Sequence, residues 1–212
     1  MTSEPEARYG APGAQLVIIS GPSGVGKDTI IDALRARDPE TGGDYQYIVT
    51  CTTRAPRPGE IPGTSYQFLS RRGFRALRDA GELLESAEVH GNWYGTPRRD
   101  VADALAQGRD VILKIDVQGA AAVKERVPEA LLIFIVPPSL EALFQRLRSR
   151  ATETADELEI RQRNAAIELA RQGDYDSVVV NETDQVDRTA AEIQAIVAQE
   201  KRRNADRRIR IG

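Results

Sequence analysis

A chain of 212 residues, 29% of them charged, with a formal net charge of −3, suits a soluble domain carrying inserted lobes and argues against bulk binding of nucleic acid. Its single cysteine, Cys51, and single histidine, His90, exclude an intrachain disulfide and nearly exclude a structural zinc site. The longest apolar run, Ala130 to Pro138, is too short to span a bilayer, and Met1 to Ala14 lacks the apolar centre of a signal peptide, so a cytoplasmic protein is expected, with no membrane or nucleic-acid partner.

Residues 1–14 mix Gly, Pro and charge without an apolar period and read as a mobile tail. Gln15 to Ser20 is a short apolar run ahead of a glycine cluster, the pattern of a strand buried on both faces. Thr29 to Arg37 carries Ile30, Ile31 and Leu34 at helical spacing and is expected to stop before Pro39. Residues 46–97 break this rhythm with the turn cluster Pro56-Arg57-Pro58-Gly59 and the alternating stretch Ser65 to Leu69, as a small mixed or antiparallel lobe would. Strand and helix then alternate again: Asp110–Ile115, Gln118–Arg126, Leu131–Val136, Leu140–Arg148, Ser177–Val180 and Val186–Arg203. That alternation predicts an α/β core with a mostly parallel sheet, assembled from 15–45, 98–148 and 173–200. Residues 149–172, polar and rich in Arg and Glu with a helical pattern, read as a lid. Residues 201–212 are basic, and read as the end of a helix rather than a binding tail.

Gly21-Pro22-Ser23-Gly24-Val25-Gly26-Lys27 follows the first strand and opens the first helix, which is the setting of a phosphate-binding loop. Glycines let several backbone N–H groups approach phosphate oxygens at once, and the helix N-terminus adds its own donors. Lys27 is expected to supply a point charge to the β- and γ-phosphates of a nucleoside polyphosphate. The strict pattern has Ser or Thr after the lysine, where a hydroxyl reaches Mg²⁺. Asp28 stands there, followed by Thr29, so Asp28 and Thr29 are the candidate metal residues. Asp28 either holds the ion through water or stabilises the helix N-terminus by charge.

The inserted lobe carries groups suited to a second phosphate. Arg54 and Arg57 lie three apart in a turn-rich segment, and guanidinium forks pair bidentately with phosphate. Tyr66 and Tyr94 are phenols able to donate to the same anion.

Five blocks in order, Gly-Pro-Ser-Gly-Val-Gly-Lys, Thr-Thr-Arg-x-Pro-Arg-x-Gly-Glu, Gly-x-x-Tyr-x-Phe, Gly-Asn-Trp-Tyr-Gly-Thr and Ile-Asp-Val-Gln-Gly, resemble the guanylate kinase family over about residues 15–200. The resemblance implies a P-loop kinase core with a five-stranded sheet flanked by helices, a GMP-binding lobe and a helical lid. It implies transfer of phosphate from ATP to GMP or dGMP with Mg²⁺. It assigns Thr50, Arg54, Arg57, Tyr66 and Tyr94 to the GMP phosphate, and Glu85, Thr96 and Asp116 to guanine. Arg146, Arg150 and Arg161 match the lid arginines that neutralise the moving phosphoryl group, and Asn181 a position near the adenine of ATP. Three residues depart from the common pattern: Asp28, Lys114 where an acid is usual, and Ala151 for a lid glycine. Lys114 either touches phosphate or pairs with Asp28. Two rival readings are a ribose bisphosphate kinase, which the Thr-Thr-Arg block disfavours, and a non-catalytic guanylate-kinase-like module, which Lys27 disfavours.

Overall fold

The computed structural model describes residues 8–41, 45–89, 91–148 and 155–212. Its centre is β2 (Leu16–Ser20; β1 is the short strand Arg8–Tyr9). Around it lie β3 (Tyr45–Tyr47), β8 (Asp110–Lys114), β9 (Leu131–Val136) and β10 (Ser177–Val180), all parallel, in the order β10-β9-β2-β8-β3.

Both faces of β2 are apolar because both are covered. Leu16 and Ile18 pack with Val111, Leu113 and Leu132 on one side; Val17 and Ile19 pack with Ile112, Ile133 and Ile135 on the other. The first face is closed by α3 (Arg98–Ala106) and α4 (Val117–Arg126), through Val101, Leu105, Ala120 and Val123. The second is closed by α1 (Lys27–Thr41), α5 (Leu140–Arg148), α6 (Ala155–Leu169) and α7 (Val186–Arg203). Period-two alternation feeding two helical layers explains why β2 and β9 read as unbroken apolar runs.

Residues within 46–97 build a second sheet in the order β5-β4-β7-β6: β4 (Cys51–Thr52), β5 (Gln67–Phe68), β6 (Leu83–Val89) and β7 (Asn92–Pro97). The β4–β7 and β6–β7 pairs are antiparallel and the β4–β5 pair is parallel, so the lobe is mixed. It has its own small core of Cys51, Phe74 and Leu83, with Trp93 tilted against Phe74 at 6.0 Å. Phe74 belongs to α2 (Arg71–Asp79), a helix that the alternation of this region did not suggest. Ser70 caps it, its hydroxyl accepting from the Gly73 N–H at 3.1 Å, and that Ser-x-x-Gly start carried no acidic partner to advertise it.

Four expectations need correction. α1 runs to Thr41, past Pro39, because a proline near the end of a helix removes one hydrogen bond without ending it. Gln46 and Tyr47 belong to the core sheet and not to the lobe. The supposed tails are paired: β1 lies antiparallel to β11 (Arg210–Ile211), and the Gly10 N–H donates to the Ile209 carbonyl at 2.8 Å. Ile209 and Ile211 are buried against the α3 side of the core, which a charge count over 201–212 could not reveal. His90, Arg150, Ala151 and the first part of the expected lid lie outside the described residues.

Ile209 has no exposed surface, so truncation leaves a cavity beneath the terminal strand pair. Ile209→Ala is expected to lower the urea unfolding free energy by about 2–4 kcal/mol with an unchanged m-value. A loss under about 0.5 kcal/mol would mean that the strand pair is dispensable.

Candidate active site

The carboxyl ends of β2 and β8 point at the inserted lobe, and the crevice there is where open parallel sheets bind ligands. A cleft of about 170 Å³ opens at this point. Gly21, Ser23, Gly24, Gly26, Lys27 and Asp28 form one wall; Thr50, Arg57, Tyr66, Glu85 and Tyr94 form the other. Lys114 and Asp116 line the floor, and Glu168 reaches in from α6.

The loop wall depends on backbone that only glycine tolerates. Gly24 and Gly26 have φ of 84° and 100°. A Cβ on Gly26 would sit 2.6 Å from Asn181 Nδ2. Asn181 is buried behind the loop, its Nδ2 donating to the Val25 carbonyl at 2.8 Å and its Oδ1 accepting from Thr189 Oγ1 at 3.3 Å. It therefore braces the loop from behind and is not among the residues lining the cleft. Val25 and Pro22 are likewise buried; their side chains face the fold and only the backbone serves the loop.

Lys27 folds back along the loop, donating to the Gly21 carbonyl at 2.5 Å and the Pro22 carbonyl at 3.1 Å. Burial holds its pKa below the ordinary lysine value, and nearby Glu168, Asp28 and Asp116 partly offset this. Glu168 also accepts from the Ser23 N–H at 3.0 Å, while Arg161 Nη2 donates to Ser23 Oγ at 3.0 Å. Two side chains of α6 thus touch the same loop residue. Glu168 was not legible beforehand, since nothing near it in the chain marks one acid among many in a polar helix. Arg146 meets the back of the loop, donating to the carbonyls of Val25 and Asn181, each at 3.2 Å. It braces the loop and does not line the cleft.

In the lobe wall Arg54 is held from three sides. Its Nη2 donates to Glu60 at 2.7 Å, its Nη1 to the Ala55 carbonyl at 2.7 Å, and its Nε to the Tyr94 hydroxyl at 3.2 Å. Glu60 also accepts from the Arg57 N–H at 2.7 Å. One carboxylate therefore organises both arginines, the physical content of an acid closing the Arg-x-x-Arg turn. Tyr66 stands edge-on to Tyr94 with ring centres 6.0 Å apart.

Glu85 is 3% exposed and accepts from Thr96 Oγ1 at 2.7 Å. A bulge puts it there. The β6–β7 register slips between Leu83 and Glu85, so Leu83 packs in the lobe, Leu84 in the main core, and Glu85 faces the cleft. Burial raises its pKa to about 7; Asp116 pushes the same way, against the Thr96 bond and Arg126. Asp116 caps α4, accepting from the Gly119 N–H at 3.0 Å. Gly119 keeps these two carboxyls close: a Cβ there would lie 3.1 Å from Glu85 Oε2 and 3.2 Å from Asp116 Oδ1.

Lys114 and Asp28 form an ion pair across the floor, one of the two alternatives open from sequence. Among the described residues no group of three or more His, Cys, Asp or Glu side chains gathers as a metal site. Asp28 and Asp116 do line the cleft near Lys27. Such a sparse oxygen set fits Mg²⁺, which keeps several waters and draws its remaining oxygens from substrate phosphates. Thr29 is exposed on α1 and is not among the residues lining the cleft, so it does not join that set.

The chain matches the family model described as guanylate kinase over residues 13–200. It is 47% identical over 193 residues to a guanylate kinase of Symbiobacterium thermophilum, covering 91% of this chain and 88% of that one. A guanylate kinase of Mycobacterium tuberculosis is 47% identical over 183 residues, covering 84% and 86%. The crystal structure of guanylate kinase from Anaplasma phagocytophilum superposes with a TM-score of 0.75 at 32% identity, covering 95% and 92%. A loop built to meet phosphate, a facing wall of Arg57, Tyr66 and Tyr94, and these matches along nearly the whole chain agree: the protein belongs to the guanylate kinase family of nucleoside monophosphate kinases.

Proposed function

We propose that this protein transfers the γ-phosphoryl group of ATP to GMP, and to dGMP, in the presence of Mg²⁺, giving ADP and the corresponding diphosphate. The observation that carries the reading is a single cleft lined on one side by the glycine loop with Lys27 and on the other by Arg57, Tyr66, Tyr94 and the buried Glu85. Two phosphate-binding walls that face each other bring donor and acceptor within reach of in-line transfer.

The loop amides and Lys27 receive the phosphates of ATP. Arg54, Arg57, Tyr66 and Tyr94 receive the GMP phosphate, with Thr50 beside them. Arg161, already on Ser23, and Arg150 supply charge from the lid, and Arg146 keeps the loop in shape. A GMP phosphate oxygen is already anionic, so no general base is needed. It attacks the γ-phosphorus, a new P–O bond forms, and the bond to the β–γ bridging oxygen breaks. ADP leaves with the electron pair. Asp28 with Asp116 would help to hold Mg²⁺, which when bound would supply positive charge to the phosphates.

Guanine offers N1–H and a 2-amino group as donors, and Glu85 and Asp116 offer acceptors. Adenine has no donor at N1 or C2 and would leave a buried carboxylate without its partners, a strong source of rejection. The reading invokes no contact to the ribose 2′-hydroxyl, which is why dGMP is included.

A coupled ADP-release assay over GMP, dGMP, AMP and ribose bisphosphate tests the reading. Turnover is expected with GMP and dGMP, and a failure with GMP would overturn it. Lys27→Ala is expected to leave less than ~10% of kcat. Retention above that level would contradict the charge role.

Glu85 yields a separate prediction. Its folded pKa, about 7, lies above the ordinary 4.5. Between those values the folded protein binds more protons than the unfolded chain, so Glu85 makes stability fall as pH rises through that window. Glu85→Gln is expected to raise Tm by a few degrees over the parent at pH 8 and by little at pH 4.5. The same variant is expected to lose most of its preference for GMP over AMP. Equal Tm differences at the two pH values would show that the carboxyl is not held protonated by the fold.

A further inference from the structure

Lys114 is a group to which the reading above gives no task. It lies at the end of β8, mostly buried, with its side chain 21% exposed. Its ammonium pairs with Asp28, the residue after Lys27, and sits 5.0 Å from the centre of the Tyr66 ring. It therefore touches a loop-wall residue and a lobe-wall residue at once. It is also near enough to Lys27 for the two ammoniums to disfavour each other's charge. A second hollow of about 370 Å³ adjoins the cleft, and Asp28, Thr50, Tyr66 and Lys114 line both. The side chain thus stands at a junction with space on either side.

A lysine in that place costs desolvation, which Asp28 and Tyr66 outweigh. Asp28 is 70% exposed, so the pair is anchored on a carboxylate that water can take over cheaply. The ammonium can then exchange partners. A strong competing anion arises in the cleft only when two phosphate groups occupy it together. One nucleotide alone is met by its own wall.

We propose that Lys114 is a catalytic residue that leaves Asp28 when both nucleotides are bound and neutralises the phosphoryl group passing between them. The proposal rests on the reading of the cleft as the site of transfer from ATP to GMP. Lys114 moves no proton: the acceptor oxygen–phosphorus bond forms, the bond to the ADP oxygen breaks, and the ammonium stays charged beside the equatorial oxygens. Its interaction grows from ground state to transition state, so it acts on kcat more than on KM. Asp28 acts as a positioning residue, parking the charge so that it does not tighten ground-state binding of GMP.

Steady-state kinetics and metal-free calorimetry test this on the full chain. Lys114→Met is expected to lower kcat about 30-fold or more, with KM for ATP and GMP each within about threefold, and Lys114→Arg to retain kcat within about fivefold. In EDTA, Asp28→Asn is expected to bind GMP several-fold more tightly than the parent, because the freed ammonium reaches its phosphate. The double variant Asp28→Asn/Lys114→Met is expected to lose that gain. A merely structural ion pair predicts the opposite sign, weaker binding in Asp28→Asn. Lys114→Met with kcat within twofold of the parent, or Asp28→Asn with unchanged or weaker GMP binding, would overturn the proposal. Should Lys114→Met fail to fold, the Lys114→Arg and Asp28→Asn arms still decide it. A parent protein inactive on GMP would instead sink the reading of the cleft, a separate outcome.

Discussion

The constraint on which the structure depends is a loop that must turn its N–H groups outward to an anion. Carbonyls of that loop that face inward must then be met by the protein. Lys27 takes those of Gly21 and Pro22, and Asn181 with Arg146 takes that of Val25. These partners come from α1, from the turn after β10, and from α5. The five-stranded sheet brings the three together, because β2, β9 and β10 are neighbours and all end on the same edge. The loop is therefore the product of the parallel sheet as a whole. Its glycines permit the shape, and distant side chains hold it.

The inserted lobe solves a different problem. It places a carboxyl inside the protein, facing the cleft, and burial alone disfavours its charge. Glu85 is tolerated because Thr96 donates to it and because the bulge lets two flanking leucines be buried in two different cores. The two leucines just before the acid anchor β6 in both cores. Strict alternation would have sent Leu83 and Glu85 to one face and spoiled either the lobe core or the cleft. The shifted register is thus set at the point where the buried acid meets the cleft.

The core was legible because short unbroken apolar runs such as Leu131 to Val136 admit few alternatives when helices alternate with them. The phosphate loop was legible for the same reason: a strand before it and a helix after it. The lobe was legible mainly through resemblance; Tyr66, Glu85 and Thr96 taken singly look like ordinary strand residues. The bulge that aims Glu85 has no local signature, since it depends on how β7 pairs with β6. Asn181 and Arg146 also brace the loop from behind, a role that no local pattern marks because it depends on where β10 and α5 end in the fold. α2 was missed, since its few apolar residues, Phe74, Ala76 and Leu77, stand among arginines. The paired termini were missed as well, because Ile209 and Ile211 stand among arginines whose charge dominates any window.

Charge balance in the cleft ties these features together. A site that takes a nucleoside triphosphate and a monophosphate needs cations, yet an empty site lined with bare cations would repel itself. Arg54 is matched by Glu60, Lys114 by Asp28, and Lys27 lies within reach of Glu168 and Asp116. Each pairing keeps the resting protein stable and each is cheap to exchange where water reaches the acid. Glu168 shows the other side of that arrangement. Its carboxylate already holds the Ser23 N–H, one donor of the loop, and it comes from the same helix as Arg161. An anion arriving at Ser23 therefore competes with an internal acid and gains an internal arginine in one event. Under the proposed reaction, binding of ATP would be coupled to the position of α6 through that residue, with a sign that favours the arginine over the acid.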